Sequence, residues 1–149
     1  ALLDVFIYPT TRLSDPGEDM LHIRGGRVLC ERGKLGTEFL ECLERLWAIP
    51  PAPLTADEVE ARKNWSAKMV DRSCRGGVEG NYRRVWLLTA SLENYFLLRG
   101  KRYPGPKEAF KALAVSDPGA LALFSRALEP GADLSAIHAL VAKVNAIDH

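Results

Sequence analysis

The sequence predicts a mainly α-helical fold with a short β segment at its front. About three strands are expected within residues 1–35, followed by a bundle of about five or six helices in residues 36–149. Two observations predict this. The front of the chain carries short apolar, β-branched runs separated by turn residues, whereas from Thr37 onward apolar residues recur at helical spacing.

Composition indicates one ordinary globular chain. Of the 149 residues, 47% are hydrophobic and 26% are charged, and the formal net charge is +1. This is not the basic character typical of a nucleic-acid-binding domain, so no nucleic-acid partner is expected. No run approaches the roughly 18 apolar residues of a membrane span, and the three cysteines and three histidines show no metal-ligand spacing. These features predict a cytoplasmic protein with no membrane partner.

The β segment is predicted from three runs. Residues 1–9 are apolar and end at a proline, and Met20–Ile23 and Arg27–Cys30 flank the turn residues Arg24-Gly25-Gly26. This arrangement is typical of a hairpin preceded by one more strand. A sheet fragment of this size needs further strands or helices to be stable, so part of a larger protein or a second chain is expected to complete it.

The helical part is divided by breaker residues. The first helix is expected from Thr37 to the proline-rich segment at residues 50–53, and Thr55 and Glu58 form a capping-box pattern that begins the next. The longest and most apolar helix is expected from Val78 to Arg99, surrounded by others as the centre of a bundle. Three shorter helices are expected over residues 107–115, 119–127 and 134–147.

Three groups of residues are candidates for chemistry. Asp4 lies inside an apolar strand, where a carboxylate points either into a cleft or to the wet face of the sheet. Glu93 lies inside the aromatic stretch of the long helix, although charges on a helix usually form a solvated face. Arg99 to Lys107 is a basic segment with helix breakers, which fits either a phosphate site or a plain surface loop. The common motifs of P-loop, dinucleotide-binding, hydrolase and zinc-protease enzymes are absent.

Several phrases resemble bacterial nucleotidyltransferases of the aminoglycoside-nucleotidyltransferase-like kind. Leu3-Asp4-Val5-Phe6-Ile7-Tyr8-Pro9 is similar to the late strand that carries the third active-site carboxylate of that superfamily. Further phrases that match are Gly26-Arg27-Val28-Leu29, Trp86-Leu87-Leu88-Thr89, Tyr95-Phe96-Leu97-Leu98-Arg99-Gly100 and Tyr103-Pro104-Gly105-Pro106-Lys107. The resemblance covers most of the chain.

The resemblance implies transfer of a nucleoside monophosphate from an NTP to a hydroxyl of a small acceptor, with Mg²⁺ as cofactor. Asp4 would be the catalytic carboxylate and a metal ligand, and Glu93, Arg99, Tyr103 and Lys107 would bind substrate. Residues 1–35 would be the remnant of a catalytic domain, and residues 36–149 a substrate-binding bundle. The family's Gly-Ser motif and paired acids do not precede Asp4, so the isolated chain is expected to be inactive.

Other functions remain open at this stage. The alternative to a nucleotidyltransferase portion is a non-catalytic helical binding subunit that pairs with a separate small nucleotidyltransferase subunit. The chain is expected to form either such a pair or a homodimer. A helical ribonuclease of a toxin system is disfavoured, because its motif places a histidine four to six residues after an arginine, whereas His138 lies twelve residues after Arg126.

Overall fold

Helices dominate the part of the chain that the structure describes. The computed structural model describes Leu3 and residues 5–147. Within this range it has seven α-helices and one 3₁₀ helix, which are α1 (Thr10–Ser14), the 3₁₀ helix (Glu18–Ile23), α2 (Leu35–Ala48), α3 (Ala56–Ser73), α4 (Gly77–Leu97), α5 (Pro106–Ser116), α6 (Pro118–Leu128) and α7 (Leu134–Asn145). The predicted mainly helical class is confirmed. None of these helices combines the length and apolar content that a membrane crossing needs.

The predicted β segment is wrong, because no strand forms among Leu3 and residues 5–147. Met20–Ile23 belongs to the 3₁₀ helix, and residues 27–30 have no regular structure. Met20 is fully buried and packs with Phe39 and Leu43 of α2. A short apolar run is consistent with a strand or with a buried helical turn, and here packing against α2 selects the turn. The remaining predicted strand falls partly on residues 1, 2 and 4, which lie outside the described range.

The chain divides into two compact units, Ala1–Pro50 and Pro51–His149, at the proline-rich segment. The first unit contains α1, the 3₁₀ helix and α2 around the small core of Met20, Phe39 and Leu43. Arg24 places its guanidinium 4.4 Å from the ring centroid of Trp47 in this unit. The sheet predicted within residues 1–35 is absent from the described range, and the functional assignment of the two parts stays a prediction.

The second unit contains α3 to α7. The capping box that begins α3 is confirmed: the Thr55 backbone N–H donates to Glu58 Oε2 at 2.8 Å, and the Glu58 N–H donates to Thr55 Oγ1 at 3.3 Å. Helix α4 packs against α3 and α7, and α6 packs against both α5 and α7. The larger core lies where the second half of α4 meets α5, α6 and α7.

Helix α4 is buried over only part of its length. Leu87, Leu92 and Phe96 are at most 6% exposed, but Val78 is 90% exposed and Tyr82 is 64% exposed. The prediction that neighbouring helices surround α4 therefore holds for its second half alone. In the first half, part of the apolar pattern is exposed, although α3 packs against another side of the helix.

Candidate functional site

A cleft of about 510 Å³ lies between α3 and α4. Helix α3 contributes Glu58, Ala61, Arg62 and Trp65, and α4 contributes Trp86, Ala90, Glu93 and Asn94. A volume of this size falls within the range of small-molecule pockets, which combine apolar walls with a few polar groups.

Helical spacing explains why these residues share one cleft. On α3 the lining residues lie three or four positions apart, from Glu58 through Arg62 to Trp65, and on α4 they run from Trp86 through Ala90 to Glu93. Residues at these separations lie on one side of a helix. The two helices pack side by side, so the two rows face each other across the cleft.

Two tryptophans form the aromatic wall. The rings of Trp65 and Trp86 meet edge to face, with centroids 5.6 Å apart and an angle of 67° between planes. Trp86 is 45% exposed, which leaves part of its ring open to a ligand. Such aromatic pairs are rigid, so a ligand that stacks on them loses little protein entropy.

The floor of the cleft is polar and buried. Asn94 is 3% exposed, and its Oδ1 accepts a 2.7 Å hydrogen bond from Arg62 Nη1. This bond fixes the arginine head group between the helices. The Ser66 hydroxyl in turn donates to the Arg62 carbonyl oxygen at 3.0 Å.

Glu58 is held at the mouth of the cleft by its capping role. Its carboxylate accepts hydrogen bonds from the Thr55 backbone N–H and hydroxyl, at 2.8 and 2.9 Å. These bonds, the backbone one foremost, lower the pKa of Glu58 below its ordinary value, with a further contribution from the charge of Arg62. Glu58 is therefore an ionised acceptor near neutral pH.

Two of the predicted substrate-binding residues lie together. Glu93 lines the cleft as an exposed carboxylate, and its charge raises the pKa of Tyr103, although burial of the phenol is the larger cause. The Tyr103 ring packs against Phe96, with centroids 6.2 Å apart. Tyr103 consequently remains a protonated hydroxyl that can donate a hydrogen bond.

Arg99 is engaged at the end of α7. Its guanidinium donates to the carbonyl oxygens of Lys143, Val144 and Ala146 at 3.0, 3.1 and 2.7 Å, and lies 3.9 Å from the centroid of the Tyr95 ring. The contacts satisfy carbonyl groups that a helix end leaves unpaired. Its predicted role in substrate binding stays a prediction.

Of the predicted site residues that the structure describes, Glu93 alone belongs to the cleft lining. Lys107 is exposed in the first turn of α5. Asp4, the predicted catalytic residue and metal ligand, lies outside the described residues. In the described range, no three His, Cys, Asp or Glu side chains come together as a metal site. The predicted cofactor, Mg²⁺, stays a prediction.

The sequence analysis missed most of the cleft lining. Arg62 and Trp65 are not among the predicted site residues, and Trp86 was noted only as part of a phrase that resembles the nucleotidyltransferases. A signal was present, because Arg62 and Trp65 lie three residues apart on the same side of α3. The exposed fraction of Trp86 was not predictable without knowing which sides of α4 other helices cover.

No protein-family model, curated protein or solved structure matches this chain. The fold and the site define its class in general terms: the second unit is a helical domain with a ligand-sized cleft between its two longest helices. The family suggested by the sequence phrases remains a resemblance.

Proposed function

We propose that the chain is the acceptor-binding part of a nucleotidyltransferase and that the cleft between α3 and α4 binds a small hydroxylated molecule carrying a protonated amine. The observation that carries this proposal is the cleft lining, in which the carboxylates of Glu58 and Glu93 accompany the ring pair of Trp65 and Trp86. Glu93 was a candidate from the sequence alone.

The lining favours a cationic ligand. Two carboxylates and one arginine give the cleft an excess of negative charge. Glu58 is hydrogen-bonded to Thr55 and the guanidinium to Asn94, so Glu93 is the carboxylate proposed to meet the ligand. Tryptophan rings attract cations through their negative faces and also pack against the C–H faces of sugar rings. An amino sugar combines both properties.

The proposed reaction follows from the resemblance. An acceptor hydroxyl oxygen bonds to the α-phosphorus of an NTP, pyrophosphate leaves, and the hydroxyl proton passes to a carboxylate, which the resemblance identifies as Asp4. The residues of the cleft orient the acceptor, and such positioning supplies much of the rate in phosphoryl-type transfers.

A second candidate is a non-catalytic binding subunit that pairs with a separate nucleotidyltransferase. It is favoured by one observation, namely that all eight lining residues belong to the unit Pro51–His149. The substitution Asp4→Ala distinguishes the two candidate functions. In a preparation that transfers AMP, the substitution abolishes transfer under the leading proposal and leaves it unchanged under the second.

Ligand binding tests the proposal through tryptophan fluorescence. The chain has three tryptophans, and Trp47→Phe removes the one that does not line the cleft. In this background we expect kanamycin, an aminoglycoside, to change the fluorescence in a saturable way. Spermidine, a cation without sugar rings, is expected to bind more weakly.

Glu93→Gln supplies the decisive variant. It should weaken kanamycin binding up to about fivefold, the range for a partly solvated charge pair. Glu60→Gln is the matched control, since it removes the same charge from an exposed position of α3 that does not line the cleft. Equal effects of the two variants, or equal affinities for spermidine and kanamycin, would contradict the proposal.

A further inference from the structure

The exposed half of α4 carries an apolar surface that borders the cleft at Trp86 and otherwise lies outside the cleft lining. Val78, Tyr82 and Val85 lie on one side of the helix, with exposed fractions of 90%, 64% and 64%. Trp86 borders them and is 45% exposed. These four residues are called the α4 face below.

The α4 face is contiguous and partly rigid. Tyr82 and Trp86 rest against each other with ring centroids 6.2 Å apart, and Trp86 is supported from behind by Trp65. Aromatic side chains have about 150–250 Å² of surface each, so with the two valines the exposed apolar area is on the order of 400 Å². Patches of this size on single chains are commonly interaction sites.

The charges beside the α4 face suit a second copy of the same chain. Glu79 and Arg83 lie one turn apart on the flank that borders Trp86, and their own contact is long, with 3.6 Å between Oε1 and Nη2. The Glu79 side chain is 74% exposed. The Arg83 side chain is 26% exposed and its guanidinium lies 5.8 Å from the Trp86 ring centroid. This flank therefore presents one anionic and one partly exposed cationic position, which is self-complementary, as a two-fold symmetric contact requires.

We propose that two copies of the chain associate through the α4 face, with their α4 helices antiparallel about a two-fold axis near Tyr82. This arrangement places Val78 of each copy opposite Val85 of the other and Tyr82 beside its counterpart. Glu79 of each copy lies opposite Arg83 of the other, because residues on one flank meet the same flank of the second copy. Apolar contact at the centre and two ion pairs at the rim are the usual composition of an interface.

The size of the α4 face sets the expected affinity. Stable complexes bury about 800 Å² per partner, and the apolar centre together with its charged rim approaches that value from below. Association is therefore expected in the micromolar range, where sedimentation velocity follows the monomer and dimer directly. The full chain should change from monomer to dimer between about 1 and 200 µM.

A pair of charge variants tests the antiparallel arrangement. Glu79→Arg puts two arginines at each rim contact, and Arg83→Glu puts two glutamates there, so each variant alone should dimerise at least about fivefold more weakly than the natural chain. In a mixture of the two variants, every rim contact again pairs an arginine with a glutamate. The mixture is expected to recover association as a heterodimer, which a parallel pairing or another face would not give.

An apolar substitution tests the centre of the contact. Val78→Ser should abolish dimerisation at about 200 µM, whereas Val115→Ser changes a valine of equal exposure, 88%, on α5 and should leave it intact. Circular dichroism establishes that each variant is folded. The proposal is overturned if the natural chain stays monomeric over the whole range, if Val78→Ser associates normally, or if the mixed charge variants do not associate.

Discussion

Asp117 offers the sharpest test of how the second unit is held together. Its carboxylate caps α6 by accepting the Ala120 N–H at 2.9 Å. It also accepts the Tyr95 hydroxyl hydrogen bond at 2.7 Å and pairs with Lys143 Nζ at 3.0 Å. One side chain thus joins α4, α6 and α7.

The expected magnitude follows from the pKa of Asp117, which these contacts lower from 3.8 to about 2, with the Tyr95 hydrogen bond as the largest cause. A lowering of this size corresponds to about 2 kcal/mol of folding stability, since a shift of one pKa unit corresponds to about 1.4 kcal/mol. The side chains of Asp117 and Lys143 are 22% and 32% exposed, and solvent screening reduces the expected contribution to about 1–2 kcal/mol.

Asp117→Asn removes the charge and keeps a residue suited to capping a helix. At pH 7 we expect a loss of about 1–2 kcal/mol in the free energy of unfolding. The folded-state pKa lies below the unfolded one, so the natural chain has this contribution in full above the unfolded pKa of 3.8 and loses it as the pH falls through about 2. The difference between the two proteins should therefore shrink as the pH falls below about 4.

Urea unfolding provides the measurement. In the Trp47→Phe background, the fluorescence of Trp65 and Trp86 reports the second unit, and titrations at several pH values between 7 and 2.5 give the difference directly. Asp133→Asn is the matched control, because Asp133 caps α7 through the Ala136 N–H at 2.9 Å. A difference that is absent at pH 7, or that is as large at pH 2.5 as at pH 7, would refute the reasoning.

Three further predictions concern burial, the end of α7 and catalysis. Ser91 is 1% exposed, and its Oγ has no hydrogen-bond partner in the described part of the chain, so Ser91→Ala should raise the free energy of unfolding by about 1 kcal/mol; a decrease would contradict this. Arg99→Gln should lower the free energy of unfolding by about 2 kcal/mol, because the carbonyl groups at the end of α7 lose their hydrogen-bond donor. The exposed Lys101→Gln variant should have little effect on this free energy in the same urea assay. Incubation of the isolated chain with Mg-ATP and a labelled nucleotide should give no AMP transfer, and transfer that Asp4→Ala abolishes would show this prediction to be wrong.

Local patterns predicted the helices well for a clear reason. The capping box of Thr55 and Glu58 acts through bonds to neighbouring backbone groups, and the prolines at residues 50–53 lack the backbone N–H that a helix needs. Such signals depend on nearby residues and can be recognised without the fold. The front of the chain had no equivalent signal, because a run such as Met20–Ile23 can bury its apolar side chains equally well in a strand or in a turn packed on α2.

For the candidate site, too, some features follow from local sequence and others depend on the tertiary structure. The sequence alone determined that Glu93 is a carboxylate within an aromatic helix and that a long helix ends near Arg99; α4 ends at Leu97. Only the tertiary structure decided that Glu93 faces Trp65 and Arg62 across a cleft, that Arg99 is hydrogen-bonded to the end of α7, and that the first half of α4 is exposed. Periodicity shows which side of a helix is apolar, but what covers that side depends on contacts between residues far apart in the chain.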